Sequence, residues 1–154
     1  MAKESKKNNA KSKPSSDDIR NKIKNFDALK RDYELIEENL TVLGILRKLS
    51  EHLELYLKII QQILQPEEFH SLYECAIFDD KEKSMLLELY KRIIITHREI
   101  LKAEIKNNEK DALATIQYVD EEIKAVKPEM LDIVKKMQDS WKKDVKKDSQ
   151  RYFG

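Results

Sequence analysis

The sequence predicts an all-α fold: an up-and-down helical bundle with three long helices, one short helix and a disordered N-terminal tail. Three observations carry the prediction. Turn residues are scarce, with two glycines (Gly44, Gly154) and three prolines (Pro14, Pro66, Pro128) in 154 residues, too few for strands joined by tight turns. Apolar residues recur at steps of three and four, where a strand would alternate by two. Charged residues make up 38% of the chain, enough to solvate the outer faces of long amphipathic helices.

Residues 1–16, "MAKESKKNNAKSKPSS", have no apolar periodicity and are expected to form a disordered basic tail. A Ser-x-x-Asp arrangement at Ser15–Asp18 offers a helix start. Beyond it Ile19, Ile23, Phe26, Leu29, Tyr33, Ile36, Leu40, Leu43, Leu46, Leu49, Leu53, Tyr56, Ile60 and Ile63 mark one long helix. Its first half reads as a narrow coiled-coil-like seam. Val42, Ile45, Leu55, Ile59 and Leu64 widen the stripe after residue 40, as for a more buried bundle helix. Gly44 lies inside this run and marks a bend, a break or a close helix approach.

Pro66 ends that helix and can open the next as its first residue, with Glu67 and Glu68 at the positive end of the dipole. A short helix to about Ile77 follows, and then Asp79 with Glu82 forms an N-terminal capping pattern. The third helix is expected to bury Leu86, Leu89, Ile93, His97, Ile100, Leu101 and Ile105. At Asn107-Asn108 one asparagine suits a left-handed C-terminal cap and the other an N-cap. The fourth helix carries Leu113, Ile116, Val119, Ile123, Val126, Met130, Val134, Met137 and Trp141, and Pro128 should kink it. The domain boundaries are accordingly 1–16 for the tail, 17–147 for the bundle and 148–154 for a C-terminal tail.

The residues exclude several function classes. Two glycines cannot build a glycine-rich phosphate loop. No apolar run reaches membrane-spanning length, so no membrane partner is expected. Cys75 is the only cysteine, which precludes an intrachain disulfide and suits a reducing, cytoplasmic setting. Glu67-x-x-His70 has the spacing of a di-iron carboxylate bundle, but Leu49 and Ile94 stand where a second such motif would place its glutamate. His97 falls on the apolar stripe and reads as a core histidine; His52 reads as solvated. No Ser/His/Asp or Cys/His set has support in the spacing, so neither enzyme activity nor a metal or cofactor is expected.

Two segments carry family resemblances. "FHSLYE" with "HREILKAEI" resembles pieces of the metal-holding ligand domain of GntR-type regulators, although no third histidine stands near Val119. "EIKNNEKDALATIQYVDEEIKAV" is similar to the helical hairpin of PhoU-type phosphate regulators, with Lys124 at a position where that family's metal cluster wants an acid.

Two functional expectations follow. The first is a non-catalytic protein–protein interaction module, an accessory subunit, adaptor or assembly factor. It would bind another protein or a second copy of itself through Ile19, Ile23, Phe26, Leu29, Tyr33 and Ile36, a stripe that gains stability only under another helix. The second is weak nucleic-acid contact through basic ends flanking an acidic body. Lys6, Lys7, Lys11 and Lys13 lie at one end; Lys142, Lys143, Lys146 and Lys147 lie at the other, with Trp141 beside them.

Overall fold

The computed structural model describes the backbone of residues 16–152 and the side chains of residues 17–147. Seven helical segments follow one another: α1 (Ser16–Lys22), α2 (Phe26–Asp32), a 3₁₀ turn (Glu37–Asn39), α3 (Val42–Leu64), α4 (Phe69–Ala76), α5 (Asp80–Lys106) and α6 (Glu109–Tyr152). No strand occurs among the described residues, and the all-α bundle expectation holds. The expected tail 1–16 lies outside the described residues except for Ser16, as does Ser15 of the proposed helix start.

The three long helices form the frame. Arg92 pairs with Glu122, Lys136 with Glu82 and Lys106 with Asp111, so α5 and α6 are antiparallel partners along their shared length. Helix α3 packs on both. Its Leu46, Leu49, Leu53, Ile60 and Ile63 meet Ile93, Ile100, Ile116, Val119 and Val126 in one continuous core. The caps are those the sequence announces. Asp79 and Glu82 exchange side-chain-to-backbone hydrogen bonds of 2.8 and 2.9 Å. Asn107 takes the left-handed conformation (φ 51°), and Asn108 Oδ1 accepts from the Asp111 N–H.

The single helix expected over residues 19–63 is instead broken three times. Asn25 (φ 60°) and Glu34 (φ 50°) adopt the left-handed conformation, which no α-helix continues through. Lys22 pairs with Glu109 and Tyr33 with Asp120, so α1 and α2 run along α6 in its own direction. His52 of α3 also meets the Tyr33 ring. The chain between Glu34 and Thr41 must therefore double back before α3 begins. Leu35 and Leu40 are buried on this return, while Ile36 and Leu43, which continue the apparent stripe, point outward. Thr41 then caps α3 by accepting from the Gly44 N–H at 2.9 Å. Gly44 is a position of close approach: a Cβ there would stand 2.7 Å from the Asn39 carbonyl oxygen.

Smaller departures have local causes. Helix α4 starts at Phe69 with Glu68 as its N-cap, so Pro66 closes α3's exit and does not open α4. Ile105 is exposed because α5 is already turning into α6 there. Glu88 pairs with Lys91, and Arg92 reaches across to Glu122. Helix α6 continues through Pro128, as its apolar spacing on both sides implies, and its backbone stays helical past residue 148, where a tail was expected, to Tyr152.

Candidate interaction surface

Five of the six residues expected to meet a partner are internal. Ile19, Ile23, Phe26, Leu29 and Tyr33 are buried, covered by the bundle they flank; only Ile36 is exposed. The expectation of a free stripe here is corrected. The helical spacing was real, but the turn at Glu34 folds that stripe onto α3 and α6.

A hydrogen-bonded cluster fixes the segment. The buried Tyr33 hydroxyl donates to Asp120 Oδ1 at 2.9 Å, and Lys124 Nζ donates to the other oxygen at 2.7 Å. Burial, followed by the Asp120 charge, pushes the Tyr33 phenol far above its usual range. His52 sits edge-on between the Tyr33 and Tyr56 rings, at centroid distances of 5.4 and 5.3 Å. It is therefore not the solvated histidine expected. Burial first, and nearby Lys127 second, pushes its imidazole below the usual value.

His97 does occupy the core, where it bridges α5 to α3. Its Nε2 lies 2.9 Å from Ser50 Oγ and 3.3 Å from Glu54 Oε1, and Ser50 Oγ donates to Glu54 at 3.2 Å. Arg98 can only donate to the His97 Nδ1 at 3.4 Å, which assigns the ring proton to Nε2. The proton sequence then runs from His97 to Ser50 to Glu54. That direction orders an interhelical contact; it is opposite to what activates a serine nucleophile. His70 lies apart from this cluster, with Nδ1 3.3 Å from Glu68. Among the described residues no group of three or more His, Cys, Asp or Glu is placed to hold a metal.

An open apolar surface lies on the second half of α6. At 1.5 Å per residue, α6 is about 66 Å long and α5 about 40 Å. Because Glu82 in the first turn of α5 meets Lys136, α6 overhangs its partner beyond that level. Helix α4 steadies the start of the overhang. The Tyr73 and Trp141 rings pack at 4.2 Å, Tyr73 donates to the Ser140 carbonyl at 3.3 Å, and Trp141 Nε1 donates to Glu74 at 2.9 Å. Beside this contact Leu131 (60% exposed), Val134 (44%) and Val145 (69%) face outward. With Gln138 and the half-buried Trp141 they follow steps of three and four, forming one apolar stripe next to the core face. Val134 was expected inside; Ile133 packs against the core in its place.

Two other open features lie elsewhere. Phe69 and Leu72 project from one face of α4. A groove of about 240 Å³ between α5 and α6 is lined by Phe78, Met85, Leu86, Leu89 and Ile133, with Glu82, Glu129, Asp132 and Lys136 at its rim. Lys142, Lys143, Lys146 and Lys147 are all exposed on the overhang, whereas Lys6, Lys7, Lys11 and Lys13 lie outside the described residues. No described helix is long and apolar enough to cross a membrane.

Fold and surface together define an all-α bundle with one overhanging helix. No family model, curated protein or solved structure matches the chain.

Proposed function

We propose that this chain is a non-catalytic helical module that binds another protein, and that the second half of α6 is where it does so. The observation that carries the reading is the exposed stripe of Leu131, Val134 and Val145 on a helix that outruns its own bundle. Leucine and valine side chains at helical spacing each gain about 1.5–3 kcal/mol when fully buried, and the bundle leaves them in water. The cluster around Trp141 holds the overhang's first turns in place, so a partner meets a preformed surface. An accessory subunit, adaptor or assembly factor would act through such a face. A cytoplasmic setting fits the unbridged Cys75 thiol.

The test is affinity capture of the chain from its own cells, beside a Leu131→Glu/Val134→Glu/Val145→Glu variant matched for helical circular dichroism. The wild-type chain should retain a protein that the variant loses. Equal recovery by both would remove the stripe from the account. Recovery of nucleic acid alone, released by moderate salt, would favour the lysine-rich end of α6 as the functional element.

A further inference from the structure

The apolar stripe of α6 is flanked along one edge by lysines. Successive residues of an α-helix are rotated by about 100°, which places Leu131, Val134, Gln138, Trp141 and Val145 within an arc of about 80°. Lys127 falls inside that arc and Lys142 and Lys135 within about 40° of one edge, and all three are exposed. Among the acids of the same stretch, Asp144 stands about 60° beyond the opposite edge and Asp139 about 80° beyond the lysine edge, with Glu129 and Asp132 farther round. Lys142 approaches Asp139 only to 4.0 Å, so this border is not neutralised by a tight pair there. Gln138, Trp141, Lys142, Val145 and Lys146 line one shallow depression in which apolar floor and basic edge meet.

We infer that this face docks an acidic amphipathic helix of a partner protein, with apolar side chains on the stripe and carboxylates against Lys127, Lys135 and Lys142. The inference rests on the proposed interaction function and names the chemistry of its partner. Two properties of the face select a helix over other anionic surfaces. Leu131 and Val145 interrupt the lysines with apolar area that phosphates would not cover. The Trp141 ring is packed on Tyr73 and hydrogen-bonded to Glu74, so it lines the depression and is not free to swing out as a wedge into lipid. A second copy presenting the same face would bring Lys135 and Lys142 against their own kind, which disfavours symmetric self-pairing.

Trp141 is the only tryptophan, so its emission reports events at the depression directly. The full chain is titrated with a designed helical peptide of roughly 18 residues, with leucines at one-face spacing and flanking glutamates. A second peptide has lysine for every glutamate. Phosphatidylserine vesicles and a single-stranded oligothymidine complete the set of probes. Saturable change with the acidic peptide is expected, weakened about tenfold or more by Lys135→Glu/Lys142→Glu and by Leu131→Glu/Val145→Glu, and reduced by salt. Equal binding of the lysine peptide would overturn the assignment of charge. Response to vesicles or oligothymidine, with none to the acidic peptide up to about 1 mM, would overturn the assignment of partner. If the acidic peptide fails while cellular capture still depends on Leu131, Val134 and Val145, the partner class falls and the interaction function stands. Loss of both removes both.

Discussion

Tyr33 ties the N-terminal segment to the bundle through one hydroxyl, and the residues around it set how stability responds to pH. His52 is held below its usual pKa of 6.5 by burial between two tyrosine rings and by Lys127. The unfolded chain binds a proton at this residue more readily than the folded chain, so stability rises with pH through the window below 6.5 and levels off above it. Glu82 is held below its usual 4.5 by Lys136, so its contribution is lost only as pH falls below that value. Urea midpoints measured from pH 5 to pH 8 should therefore rise towards neutrality in the wild-type chain and flatten in His52→Gln. A wild-type profile already flat over that range would refute the packing assigned to His52. Above pH 10 the raised Tyr33 phenol costs stability in the same framework, since the unfolded chain loses that proton first. The sequence identified which residues around here are apolar. It carried no sign that Asp120, 87 positions away, would take the Tyr33 proton as a hydrogen bond, because that pairing exists only once α6 lies alongside.

At the scale of the element, caps were legible and breaks were not. Asp79, Glu82, Asn107 and Asn108 act through neighbours within a few residues, so their chemistry is local and readable. Glu34 adopts a left-handed turn that glutamate does not favour, and it is fixed by the burial of Tyr33 and Leu35 on either side of it. Gly44 separates the two kinds of information. Glycine inside a helix is disfavoured relative to alanine by about 1 kcal/mol, so propensity alone predicts that Gly44→Ala stabilises the chain. The 2.7 Å approach of the Asn39 carbonyl to the missing Cβ predicts the opposite. Gly44→Ala should lower the thermal midpoint, and a rise would show that the 3₁₀ turn does not press on α3.

At the scale of the whole molecule, the chain uses one amphipathic pattern for two ends. The N-terminal stripe closes onto its own bundle, while the second half of α6 leaves a comparable stripe open, with Leu131 and Val134 pointing away from the core and Val145 lying beyond the start of α5. The length difference was readable from the caps, since Asp79 and Asn107 bound α5 while the α6 pattern runs past Trp141. What could not be read was which stripe the turn at Glu34 would cover. In this account residues 17–33 are core and the outer stripe on the second half of α6 is the proposed binding face. Hydrogen exchange of the free chain, then of the chain with its captured partner, tests this assignment most directly. In the free chain the amides of Phe26, Leu29 and Tyr33 and their neighbours should exchange slowly, while those of residues 142–147 exchange fast. With partner bound, protection should appear over residues 131–147 and nowhere in 17–33. Fast exchange across 17–33 in the free chain, with protection gained there on binding, would contradict the account.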